Sequence, residues 1–299
     1  MGFPRPGAQI LKETDAQPSV RHERRSHHAS GLTDCMRKMY YEWSGAPVTN
    51  PPTQQQLENF AAGHEAERDF IHRLDQSGQC TVLATNLPIE IIDPSLGWPI
   101  HGYIDVHVYK KGKTYNVEYK STKYPGTNNV MEEPYINHLL QAWVYLKAHP
   151  ADYTHLCYQD RSNKLLRTEY ALIEVDGELY YAKVPEDGRK FRPSEGWVKV
   201  PIKWQDIVKK LRYVERAVGA EDPPPREDPL TGEKFIAYLS NNGDRVVSSK
   251  TFYKINGEWI TPKPPGRLIV EDEEVRRTHW KCASYCEYRD LCHLGKETA

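Results

Sequence analysis

The chain has 299 residues, 27% of them charged and 11% aromatic, with a formal net charge of −1 at pH 7. Such a length and composition fit one large or two moderate globular domains and exclude a disordered chain. A near-neutral balance also excludes a global positive field, so composition alone favours a protein without a polyanionic partner, and any such partner would have to meet local basic patches.

Residues 1–29 carry no apolar run of signal-peptide type, and no stretch of the chain is long enough to cross a bilayer, so a cytoplasmic protein without a membrane partner is expected. The tail is expected to be flexible, and its basic "RHERRSHH" is read as solvated in preference to a nucleic-acid contact. Ser30 to Trp43 reads as a helix with Thr33 or Asp34 near its start, followed by a Pro- and Gln-rich loop. A second helix shows its period through Leu57, Phe60, Ala61, Phe70, Ile71 and Leu74 and stops at Gly78. Three strands follow, "CTVLATNLPIEII", "PIHGYIDVHVY" and "TYNVEYKST", the last two joined by the turn "KKGK". "PYINHLLQAWVYLKAH" is an apolar helix, and "YTHLCYQD" with "LLRTEYALIEV" makes another hairpin. A strand-like "GWVKVPI" precedes a helix, "KWQDIVKKLRYVERAVGA", that "PPPREDP" ends. Residues 228–275 are strand-prone and punctuated by Gly and Pro, without a motif, and read as an insertion into a single domain spanning 30–299.

The chemistry-bearing centre is "GYIDVHVYKKGKTYNVEYKS". If "KKGK" closes the hairpin symmetrically, Tyr109 pairs with Thr114, and counting outward sets Asp105 opposite Glu118. Glu118 and Lys120, two apart, project from one face. Facing carboxylates repel, and a divalent cation with a taste for oxygen, Mg²⁺ or Mn²⁺, would remove that repulsion. Lys120 beside it would orient or help deprotonate a water and stabilise charge on an attacked phosphate. The plain competing reading of a Glu-x-Lys triplet is an exposed surface pair. Gly63 stands one turn before Glu67 on a helix face, leaving room for metal or phosphate near that carboxylate. Gln141 and Tyr145 form a polar stripe with His138, equally readable as a satisfied half-buried pair.

Six cysteines in a reducing compartment argue against disulfides. Cys80 and Cys157 sit in apolar strands and read as ordinary buried thiols. Cys282, Cys286 and Cys292 crowd the C-terminal tail, and Cys35 is the natural candidate for a fourth ligand. The aromatic "RKMYYEW" beside basic residues suits either base stacking or core packing.

Taken in order, these features resemble the PD-(D/E)XK nuclease superfamily, closest to its RecB-like exonucleases with an iron–sulfur cluster, such as the CRISPR-associated RecB-like nucleases and the AddB nuclease domain. The resemblance covers Ser30 to Gly219 and resumes at Trp280. It rests on Cys35, Gly63 to Glu67, Gly102 to Asp105, Glu118 to Lys120, Gln141 to Tyr145, and Cys282, Cys286 and Cys292. Two features depart from the family pattern: Glu67 stands where many relatives carry histidine, with His64 in reserve, and three residues separate the first two tail cysteines where two are common.

The resemblance implies an α/β restriction-endonuclease-like core, a mixed central sheet flanked by helices. It also implies a [4Fe–4S] clasp joining the N-terminal helix to the tail over 280–292, with four-thiolate zinc as the rival. Asp105, Glu118, Glu67 and the Tyr119 carbonyl would bind Mg²⁺ or Mn²⁺, Lys120 would activate water, and Gln141 and Tyr145 would position the scissile strand. The implied reaction is DNA phosphodiester hydrolysis, by an exonuclease on single-stranded or frayed DNA in recombination, repair or replication. The alternatives are an endonuclease on flaps or CRISPR spacer precursors and a non-catalytic DNA-binding protein. Partners would be DNA and recombination, replication or CRISPR-adaptation proteins, in a cell or encoded by a virus.

Overall fold

The computed structural model describes residues 26–123, 126–185, 196–240, 242–247, 251–255, 258–260 and 275–294. The basic run over 21–25 and much of the 228–275 segment therefore lie outside the described residues.

His27–His28 form a short strand, β1, followed by a 3₁₀ turn over Ala29–Gly31 and helix α1 (Met36–Trp43). Both histidines were expected in a solvated tail. Instead β1 runs parallel to the start of the third strand, and His27 is fully buried with Nε2 2.7 Å from Glu215 Oε1. The expected helix from Ser30 is also broken. The Lys210 ammonium donates to the Leu32 and Asp34 carbonyls at 2.6 and 2.8 Å, and Cys35 is extended at φ −54°, ψ 129° as the helix N-cap. The extended Cys35 backbone keeps the preceding residues out of the helix, and the Lys210 ammonium binds the carbonyls there.

Helix α2 (Gln54–Gln76) starts where Thr53 and Gln56 exchange side-chain and backbone bonds, and it ends before Gly78 at φ 61°. Strands β2 (Thr81–Ile91), β3 (Ile100–Lys110) and β4 (Lys113–Thr122) then form an antiparallel meander. Lys111 and Gly112 both take positive φ, 50° and 82°, the two-residue turn whose twist matches its strands. A short α3 (Gly126–Glu132), absent from the sequence reading, leads to α4 (Ile136–Ala148), which is buried through Leu139, Leu140 and Trp143.

β5 (Tyr153–Asp160) pairs parallel with β4, and β6 (Arg167–Val175) and β7 (Glu178–Lys183) continue antiparallel. β7 went unread in the sequence, although Asp176 and Gly177 at φ 52° and 78° mark its turn. The expected "GWVKVPI" strand contracts to β8 (Val198–Lys199). These eight strands make one mixed sheet in the order β1-β3-β4-β5-β6-β7-β8, with β2 also on β3. Helix α4 packs on β2 to β6, while α2 packs on β2 and β4. The mixed sheet with flanking helices is thus as expected.

Helix α5 (Trp204–Ala220) buries Ile207, Leu211, Val214 and Lys210. The fully buried Lys210–Asp228 pair, 2.6 Å apart, ties α5 to β9 (Glu227–Asp228), which pairs with β10 (Glu233–Lys234). Phe235 is buried against His279. The start of the segment read as an insertion is therefore part of the core. Beyond it, β11 (Thr251–Ile255) pairs with β12 (Glu258–Ile260) and β13 (Val275–Arg277). The tail forms α6 (Trp280–Ser284) and α7 (Arg289–His293).

The rings of "RKMYYEW" do not face solvent: Met39, Tyr40, Tyr41 and Trp43 all lie in the core. Cys80 and Cys157 are half-buried rather than fully buried. No helix among the described residues is long and apolar enough to cross a membrane.

Candidate active site and a four-cysteine cavity

The β3–β4 ladder runs from Lys110 opposite Lys113 to Val106 opposite Val117 and stops one step short of Asp105 and Glu118. There the Asp105 carboxylate replaces the missing strand contact, its Oδ2 accepting the Tyr119 N–H at 2.7 Å. A residue's N–H and C=O point to the same strand edge, so the Tyr119 carbonyl also faces the Asp105 side, where no β3 backbone pairs with it.

Glu118 is 1% exposed, and Lys120 Nζ lies 2.5 Å from its Oε1. Glu118 Oε2 is buried without a hydrogen-bond partner. Gln141 Nε2 donates to the Tyr145 hydroxyl at 2.6 Å, and that hydroxyl sits beside Glu118 and stabilises its charged form. Both Gln141 and Tyr145 are buried. Gly102 is where the Tyr145 ring presses: a Cβ there would lie 3.1 Å from Tyr145 Cε1 and from Ala29 Cβ. Gly63 is less constrained, because its added Cβ would meet Ser121 Oγ at an ordinary 3.7 Å.

Burial, the Glu118 charge and the Glu67 charge push the Asp105 carboxyl up to about 8, against the opposing pull of the Tyr119 amide. Burial likewise raises Glu118, although Lys120 works the other way. For Lys120 burial favours the neutral amine, but the Glu118 charge and hydrogen bond, with Asp105 and Glu67, outweigh it and hold the ammonium above its usual range. Burial, aided by Lys120, lowers His138 to about 3, so it is a neutral acceptor or donor to Tyr158, 2.9 Å away. The Glu67 charge acts on this site from a side chain 21% exposed, and His64, 73% exposed, stands beside it with Nδ1 3.9 Å from Glu67 Oε2.

An orphaned buried carboxylate oxygen, a second carboxyl that resists ionisation and a free-edge carbonyl form an oxygen donor set suited to Mg²⁺ or Mn²⁺. Among the described residues no three His, Cys, Asp or Glu side chains are grouped to hold a single metal ion. Asp105 and Glu118 thus stand as a pair, with Glu67 outside their immediate grouping.

The four tail and N-terminal cysteines do come together. Cys35, Cys282, Cys286 and Cys292 line one cavity of about 430 Å³. Burial and the neighbouring thiols push Cys282 far up, and burial raises Cys286 to about 12. Arg226 Nε donates to Cys292 Sγ at 3.0 Å. The walls are stitched by backbone: Thr49 and Asn50 N–H both reach Glu287 O at 2.9 Å, and Asn50 Nδ2 reaches Cys286 O at 3.0 Å.

No protein-family model and no curated protein matches the chain. Among solved structures it is similar to SSO0001, at 16% identity over 73% of this chain and 85% of that one, with a TM-score of 0.39. It is also similar to LHK-Exo, an alkaline exonuclease from Laribacter hongkongensis, at 12% identity over 66% of this chain and 89% of that one, TM-score 0.39. LHK-Exo in complex with dAMP gives 14% identity, 68% and 92% coverage, and the same TM-score of 0.39. At scores this low the likeness assigns neither family nor activity.

Proposed function

We propose that the chain is a metal-dependent DNA nuclease of the PD-(D/E)XK type, hydrolysing phosphodiester bonds of single-stranded or frayed DNA from an end. The observation that carries this reading is the partnerless Glu118 Oε2 beside Asp105, with the Lys120 ammonium 2.5 Å from the other Glu118 oxygen. Asp105, Glu118 and the Tyr119 carbonyl would hold Mg²⁺ or Mn²⁺, with Glu67 acting at longer range. Such a cation supplies charge neutralisation and a more acidic water at the phosphate. Lys120, held as an ammonium, donates to the phosphate oxygen on which charge develops. Gln141 and Tyr145 keep Glu118 oriented.

Cys35, Cys282, Cys286 and Cys292 would hold a [4Fe–4S] cluster that fastens the tail to α1. Four thiols lining one cavity suit such a cluster, with four-thiolate zinc as the rival. The test pairs two measurements on anaerobically purified protein. One is visible absorption with iron and zinc content; zinc without iron rejects the cluster. The other is Mg²⁺- or Mn²⁺-dependent cleavage of end-labelled single- and double-stranded DNA, and cleavage that survives Lys120→Ala rejects the site. A closed circular single strand resists an exonuclease and is cut by an endonuclease.

A further inference from the structure

Helix α2 carries one stripe along its length: Phe60, Gly63, Glu67, Phe70, Ile71 and Leu74, spaced three and four apart. The two halves of that stripe meet different surroundings. In the C-terminal half Phe70 stacks on Tyr119 with centroids 4.5 Å apart, and Ile71 and Leu74 pack on Val106, Val108 and Val117. At Gly63 the helix still faces β4, where an added Cβ would lie 3.7 Å from Ser121 Oγ. One turn earlier the support ends, and Phe60 is 50% exposed although it continues the same face. Arg161 stands at this opening. Its amide donates to Thr122 O at 3.0 Å and its Nη1 donates to Asn59 O at 3.1 Å, so it bridges the end of β4 and the turn of helix that bears Phe60. It is in no ion pair among the described residues, and its charge acts on the neighbouring Asp160.

An exposed ring, a fixed cation beside it, and a path of two residues along β4 from Thr122 back to Lys120 make a graded surface that ends at the acidic pair. We propose that the overhanging half of α2 and Arg161 bind one unpaired nucleic-acid strand, with a base stacked on Phe60 and a phosphate on Arg161. The strand is single because a ring can stack only on a base free of its partner. This surface rests on the nuclease reading for its purpose, but not for its test.

The test is fluorescence anisotropy of a labelled oligothymidylate, with a matched duplex in parallel, all in EDTA so that cleavage plays no part. Phe60→Ser weakens single-strand binding roughly 5- to 150-fold, the range of one lost base–aromatic stack, while Phe60→Trp retains it. Arg161→Gln lowers the slope of log affinity against log salt by about 0.7, the share of one single-strand phosphate. Duplex affinity and melting temperature stay unchanged for the Phe60 variants, since the ring is exposed. Equal oligothymidylate binding by Phe60→Ser overturns the inference. So does a wild-type dimer that Phe60→Ser makes monomeric, which would give this face to a second copy of the chain. Normal binding by Phe60→Ser alongside Lys120-dependent cleavage would remove this surface and leave the nuclease. Loss of binding in a chain that never cleaves would do the reverse.

Discussion

Asp105, Glu118 and Lys120 belong to one hairpin, and a two-residue turn with strand pairing brings them together. Cys35 and Cys292 come from opposite ends of the chain, and a loop, two short helices and a buried ion pair hold them around a cavity. The acidic site is rigid before anything binds, because its support is the sheet. The thiol site rests on two five-residue helices, with Tyr41, Phe235, Tyr288 and Leu291 buried around it. Local construction gives a site that can lose a side chain and keep its shape. Remote construction gives one in which the proposed cluster would be part of the fold.

The sharpest separation of the two is reciprocal. Lys120→Ala is expected to lower metal-dependent cleavage about 10²- to 10⁴-fold with unchanged iron content. Cys282→Ser should instead lose iron and open the tail over 280–294 to limited proteolysis. If Lys120→Ala unfolds the tail, the contrast fails. Next in size is the buried ion pair that steadies the thiol side. Asp228→Ala leaves the Lys210 ammonium uncompensated and should cost about 3–5 kcal/mol in urea unfolding, whereas losing a surface pair such as Lys199–Glu178 should leave the midpoint unchanged.

Acidity separates them too. Burial and then Glu118 raise Asp105 to about 8 in the folded chain, against about 3.9 unfolded. Between those values the folded state binds more protons, so metal-free stability falls as pH rises, by up to about 1.4 kcal/mol per pH unit. Asp105→Asn should flatten that decline in thermal melts, and Mg²⁺ or Mn²⁺ should flatten it in the wild type. A decline that persists in Asp105→Asn assigns it elsewhere. Smallest is Gly102→Ala, at about 1–3 kcal/mol of overpacking against Ala29 and Tyr145. Its cleavage should fall by more than its stability loss explains, since Tyr145 orients Glu118.

Much of the acidic site was legible because its geometry is short-range. Tyr109 pairs with Thr114 as counted from the turn, and the count carries Asp105 to the level of Glu118. The four cysteines were legible only as a set with a missing member. What sequence hid was set by distant partners. β1 exists because Glu215 receives His27, and α1 starts late because Cys35 is extended, with Lys210 on the carbonyls before it. Phe60 looked like any core position of an amphipathic helix, and nothing in its spacing said that the sheet ends beneath it. Gly102 gave no sign that its missing side chain makes room for the Tyr145 ring, which comes from α4, beyond β4 in the chain.

The Lys111-Gly112 turn has a mechanical consequence. It lies at the far end of the hairpin from the acidic pair, yet it is the gauge that sets their alignment, like the zero of a sliding scale. Adding one residue to it would slip β4 by one step and carry Glu118 and Lys120 to the opposite side of the sheet, emptying the site without altering any of its side chains. Adding one residue on each side would return the scale to zero.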